Sequence, residues 1–185
     1  MQFYYVIMFV HISSALALFM GWAIEWVGIT RLQHAVTKEQ IDEWSKFLSS
    51  QKYIFISAGI LLLFTGMYMA STKWGWTPWI IVSLLLWLFV VLYGSLVTGK
   101  KIVKLGKLLH SDSVTTMAEL QEQLNQLKLM NFLQSELAVG LGTIFIMTVK
   151  PDMVGSIGVV IVAIILGIIP LLSKRKPFAA GLDKA

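Results

Sequence analysis

His11 stands inside the first long apolar run of the chain, and Ser14, Leu18, Gly21 and Glu25 follow it at alternating steps of three and four residues. On a helix that spacing stacks all five on one narrow stripe. An ionisable side chain within an apolar span is costly and faces a partner, a cofactor or water; this stripe carries two. A neutral imidazole in such a setting serves as a haem or copper ligand, or it hydrogen-bonds a neighbouring helix. A second stripe starts at Glu136 and continues through Gly140, Thr143, Met147 and Lys150. The two glutamates read either as a proton or cation path, as contacts to a metal or to cofactor propionates, or as salt bridges to Arg31, Lys52 or Lys128, whose long side chains can reach along apolar surface.

Partners for His11 are few. His34 lies 23 residues further on, roughly 35 Å along a continuous helix, and His110 falls in a polar connection. A bis-histidine haem within one chain is therefore disfavoured, which leaves a five-coordinate haem or a His/Met pair. Met67 and Met147 fall in the same half of their spans as His11, and thioether sulfur suits Cu(I) as well as haem iron. Most of the nine methionines serve packing in so apolar a chain. With no cysteine, disulfides, thiolate metal sites and thiol nucleophiles are excluded. There is no phosphate-binding glycine loop, no HExxH and no serine elbow, so no complete catalytic set is legible. The same stripe separates into two places: His11 and Glu25 stand roughly 21 Å apart on a helix, too far to ligate one centre together.

The elements that must position these residues are membrane spans. The chain has 185 residues, 57% hydrophobic and 14% charged, where a soluble domain carries about 25% charged residues. Its apolar runs reach the about 20 residues that cross a bilayer. Five spans are expected in one domain covering 1–185, at about 3–30, 53–72, 77–98, 130–150 and 153–173: an all-α, polytopic transmembrane helical bundle. The fourth is the weakest because Gln134, Ser135 and Glu136 lie in its first half; a four-span reading makes it a partly buried hairpin arm. Met1-Gln2 supplies no basic region ahead of the apolar run, so the first segment is expected to remain as a span rather than a cleaved signal.

Charge distribution sets the expected topology. Arg31, Lys38, Lys46 and Lys52 follow the first span, Lys100, Lys101, Lys104, Lys107 and Lys128 the third, and Lys174, Arg175, Lys176 and Lys184 the fifth; of 15 Lys and Arg only Lys73 and Lys150 remain for the other side. The positive-inside rule then puts the N-terminus outside and the C-terminus in the cytoplasm, as for a multi-pass protein of the cell inner membrane. Topology thus accounts for the net charge of +5, and nucleic acid is not an expected partner; the lipid bilayer is. Tyr4, Tyr5, Trp74, Trp76 and Trp79 fall at one membrane interface, where such rings favour anchoring. A quinone or porphyrin contact is the functional alternative for these tryptophans.

Two cytoplasmic segments read as helices. Lys38–Ser49, with Ile41, Trp44, Phe47 and Leu48 as its apolar positions, is expected to lie on the membrane surface. The stretch after Ser113, a candidate N-cap, puts Met117, Leu120, Leu124 and Leu127 on one face. No breaker separates it from the fourth span, so one long helix is expected. Gly140, Gly142, Gly155, Gly158 and Gly167 are expected to let backbones approach.

Phe9-Val10-His11 followed by Phe19-Met20-Gly21 resembles the first span of the CopD-type copper-resistance proteins and the HemJ-type protoporphyrinogen oxidases, both of which carry a histidine about ten residues before a glycine. The run Leu63-Phe64-Thr65-Gly66-Met67-Tyr68-Met69-Ala70, the Trp74-Gly75-Trp76 after it and Met147-Thr148-Val149-Lys150-Pro151 resemble an uncharacterised bacterial family of integral membrane proteins grouped with those two. The likeness covers most of residues 1–151 and rests on short apolar motifs. It implies a helical bundle with a metal or haem site at His11, haem b or alternatively copper. Where HemJ-like chains have a Pro-Arg pair after the glycine, Trp22, Ala23, Ile24 and Glu25 stand here. Three functional readings follow: a haem or metal site at His11, with redox use; a non-catalytic subunit or assembly factor of a larger membrane complex, or a homo-oligomer; and a proton or cation pathway through Glu25 and Glu136.

Overall fold

The computed structural model describes residues 2–109 and 116–172, and these are helical with short connections. His110, Ser113 and the basic residues Lys174, Arg175, Lys176 and Lys184 lie outside the described residues. The elements are α1 (Gln2–Gln33), α2 (Lys38–Ser50), α3 (Lys52–Met69) ending in a π-helical turn (Ala70–Trp74), α4 (Pro78–Tyr93) ending in a second π turn (Gly94–Gly99), α5 (Lys100–Leu109), α6 (Met117–Leu127), α7 (Leu129–Val149) and α8 (Met153–Leu172). Five helical stretches are long and apolar enough to cross a bilayer. The chain is a multi-pass membrane protein of five spans, including the weak fourth.

The spans form a thin bundle. α1 packs along α3 and, less extensively, α7; α7 packs along α8 and α4. Large apolar side chains such as Phe9, Phe64, Leu85, Phe145 and Ile161 are exposed on its outside, as a lipid-facing surface requires. The larger buried core lies at one end, where the terminal turns of α1 and the first turns of α7 meet α2, α5 and α6. Ile29, Leu32, Ile41, Leu48, Ile102, Leu105, Leu120, Leu124 and Leu133 fill it. We call this the cap end. At the opposite, tryptophan end the expected aromatic belt is a single cluster. The Trp74 indole donates to the Tyr4 hydroxyl (3.0 Å), Lys150 lies 3.9 Å over the Trp74 ring, and Trp79 meets Trp74 edge-on. The ends of α1, α3, α4 and α7 are thereby tied together.

Three local expectations change. α2 does not lie free on a membrane surface. Its Ile41 and Leu48 are buried in protein between α1 and α5, and Thr37 caps it by accepting from the Gln40 amide. α6 begins at Met117 with Thr116 as its cap. The Thr116 hydroxyl accepts from the Glu119 amide while the Glu119 carboxylate accepts from the Thr116 amide, a reciprocal capping box. And α6 does not run on into α7. Lys128 adopts a left-handed conformation (φ 50°, ψ 36°) that breaks the helix, a break that no glycine, asparagine or proline announces. The Lys101 ammonium donates to the Leu127 carbonyl there (2.6 Å), satisfying an acceptor that the break leaves free. Of the five glycines expected at helix contacts, Gly140, Gly142 and Gly167 meet another helix, whereas Gly158 has nothing within 4 Å and Gly155 meets only the preceding turn.

A left-handed Lys carries a steric cost that glycine avoids. Lys128→Gly is expected to raise the unfolding free energy by about 0.5–1 kcal/mol, read as a higher thermal midpoint of the purified protein in detergent; a lower midpoint contradicts the left-handed assignment.

Candidate functional site

His11 is half-buried on α1, and α3 supplies its immediate surroundings. The imidazole Nδ1 lies 2.9 Å from the Thr65 hydroxyl. That hydroxyl also lies 2.5 Å from the Leu61 carbonyl, and a carbonyl oxygen only accepts. The hydroxyl proton is therefore spent on Leu61, and Thr65 must accept from His11 Nδ1–H. This fixes the tautomer, leaving Nε2 with the ring's lone pair. Gly66, the next residue, makes room for the ring: a Cβ there would stand 3.1 Å from His11 Cε1. Thr65 and Gly66 were visible in the sequence only as part of a short motif. Nothing in their types or spacing marked them as the support for a histidine 54 residues away.

The other ligand candidates differ in burial and partners. Met67, two residues past Thr65, is 45% exposed on the outer side of α3. Met147 is half-buried on α7. His34 bonds the Thr30 carbonyl at the far end of α1. Among the described residues no three His, Cys, Asp or Glu side chains are gathered as a metal site.

Glu25 and Glu136 are brought together. Both are buried, 6% and 5% exposed, at the cap end of the spans, and they are close enough for their charges to interact. The Thr98 hydroxyl donates to Glu136 Oε1 (2.8 Å). Thr98 reaches it from the π turn Gly94–Gly99, and Gly94 of that turn leaves space for the carboxyl: a Cβ would stand 3.5 Å from Oε1. Such turns admit an extra residue and recur at functional sites. The Trp22 ring edge lies on Gly140, where a Cβ would come within 2.6 Å of two ring carbons. Neither glutamate forms the expected salt bridge with Arg31, Lys52 or Lys128 among the described residues. Lys101 at this end is turned to the Leu127 carbonyl and the Phe132 ring.

One register links these observations. From His11 to Gly21 and on to Gly28 the chain advances ten and then seven residues. Their neighbours Thr65, Phe55 and Leu48 step back by the same intervals. α1 thus runs antiparallel against α2–α3 without slippage, and Gln51 stands opposite Glu25. Gln51 is 6% exposed, and its side-chain oxygen is buried with no hydrogen-bond partner. Ser83 Oγ and Trp87 Nε1 on α4 are likewise without partners. Buried polar atoms without partners are uncommon and call for an explanation.

Comparison with protein-family models, with curated proteins and with solved structures found no match to this chain.

Because the rigid Trp22 indole cannot bend away, Gly140→Ala is expected to cost about 1–3 kcal/mol of stability, measured as a lowered unfolding midpoint. Gly158→Ala, with open space around it, serves as the near-neutral comparison. Equal effects of the two substitutions would show that Trp22 is not held against Gly140.

Proposed function

We propose that this chain is a bacterial inner-membrane protein, N-terminus outside and C-terminus in the cytoplasm, that holds haem b or a soft metal ion through His11 Nε2. The observation that carries the reading is the Thr65 hydrogen bond. Metal-ligating histidines typically donate their second nitrogen to a fixed acceptor, which sets the tautomer and orients the ring, and Thr65 does this for His11. The half-buried ring, with the bare Gly66 beside it, would hold the group through Nε2. The orientation rests on the charge asymmetry of the connections. Kinship with the CopD-type and HemJ-type proteins is part of the same proposal, and it rests on the short motifs around His11 and Thr65-Gly66. When bound, the group would supply one-electron redox chemistry; the chain's part is to orient the ring and keep Nε2 unprotonated. His11 is the ligand from this chain; of the two thioethers, Met147 is half-buried on α7 and Met67 is the more exposed.

The test is the visible spectrum of the protein purified in detergent after expression with haem or copper supplied. The wild type is expected to carry a haem absorption band or, by elemental analysis, bound copper, and His11→Ala to lose it. Thr65→Val, which keeps shape but removes the acceptor, is expected to weaken retention about 10–100-fold, and Met67→Ala to leave it unchanged. A wild type that shows no haem band and retains no more copper than His11→Ala overturns the proposal.

Orientation has its own readout because the native chain offers no thiol. A membrane-impermeant maleimide added to intact cells is expected to label Ser71→Cys, at the tryptophan end, and to reach Glu43→Cys, on α2, only after lysis. The reverse pattern inverts the topology.

A further inference from the structure

We propose that Glu25 and Glu136 form a proton-binding site that holds one exchangeable proton, carried on Glu25 while Glu136 remains a carboxylate. The site is separate from His11 and does not depend on the reading given for it.

Three observations carry this. The first is the pairing of two buried carboxyl groups with no basic side chain bonded to either among the described residues. Two uncompensated negative charges in low-dielectric surroundings are not sustained together. One of the pair must hold a cation, and a proton is the one that needs no coordination shell.

The second is the asymmetry of hydrogen bonding. Glu136 accepts from the Thr98 hydroxyl at 2.8 Å, and a donor favours the ionised form of a carboxyl group. Glu25 has no such donor among the described residues. Where two carboxyl groups sit in environments that differ this way, their roles as acid and as base divide accordingly.

The third observation is independent of the acidic pair. Gln51 is nine-tenths buried opposite Glu25, and the atom it leaves without a partner is its acceptor oxygen, Oε1. An acid O–H on Glu25 is the kind of donor that oxygen lacks; a carboxylate there would only add repulsion. The Tyr93 hydroxyl is another titratable group facing the pair from α4. Lys101 at the same end is turned to the Leu127 carbonyl.

The site lies where the spans meet the cap. Trp22 closes it on one side, and the buried side chains Ile29 and Leu133 belong to the cap core on the other. The proton taken up there is held at the edge of the membrane interior, next to a π turn whose Thr98 senses the charge of Glu136 through a direct bond.

Infrared difference spectroscopy of the full chain in detergent at neutral pH, in a choline chloride buffer, tests the proposal. The wild type is expected to show the carbonyl band of a buried protonated carboxylic acid, and the band is expected to shift down in D2O. Glu25→Gln is expected to abolish it, since Glu136 is ionised, and Glu25→Asp to restore a shifted band; both variants are to elute as the wild type does on gel filtration. Absence of the band in the wild type overturns the proposal, as does its persistence in Glu25→Gln, which would put the proton elsewhere. Loss of the wild-type band on replacing choline by sodium, potassium or calcium at constant pH would assign the pair to a metal cation instead and overturn it too.

Discussion

The packing of α1 along the α2–α3 rod is the constraint on which the rest of the molecule depends. In lipid, polar groups find no water, so each one carried into a span must be met by another part of the chain. A fixed antiparallel register meets that demand at two depths. Near the tryptophan end it seats the His11 imidazole on Gly66 and within reach of the Thr65 hydroxyl. Near the cap it brings Glu25 opposite Gln51. A slip of one residue would rotate α3 by about 100°, part His11 from Thr65, and move the bulk of Phe55 and Leu48 off Gly21 and Gly28, the two places where α1 is thin enough to receive them.

The molecule divides its stabilisation between two solvents. Within the membrane the hydrophobic effect does not drive helices together, and the contacts there are small-residue and aromatic ones: Gly142 against Ala163, Gly167 against the Ser135 backbone, Trp22 on Gly140. At the cap the usual aqueous logic returns. α2 and α6 are amphipathic, capped by Thr37 and Thr116, and bury leucines and isoleucines to completion. The cap also holds the ends of α1 and α7 together, the two helices that carry the glutamates. The carboxyl pair is thus positioned by hydrophobic burial outside the spans as much as by packing within them.

Much of this was legible in the sequence. The five apolar runs, the amphipathic stripe of Leu120, Leu124 and Leu127, and the grouping of Tyr4, Trp74 and Trp79 at one end all follow from composition and period. The helical spacing of His11, Glu25 and Glu136 showed that they face inward, and span topology placed the two glutamates at one depth. What was not legible depends on tertiary geometry. Lys128 has no residue-level reason to be left-handed; the Leu127 carbonyl accepts the Lys101 ammonium there, and α6 packs against α5. Thr65 reads as one more small residue of an apolar run until α1 is laid beside it. Gln51 looks like a polar residue in a connection, yet α2 and α3 meet at that point and bury it. Met67 shares the depth of His11 but not its face, a distinction that depends on which side of α3 meets α1.

The π turn Gly94–Gly99 has a consequence for how α4 and α5 are set relative to each other. It inserts a residue beyond the α-helical count, so everything after it is set back by about 100°. That offset decides two things together: Thr98 points at Glu136 inside the bundle, and Ile102 and Leu105, a turn or two later, point into the cap core. Were the extra residue taken up into a regular α-helix, both would be lost in one rotation. The turn therefore ties the phase of α5 and the bonding of a carboxyl group among the spans into a single geometric variable.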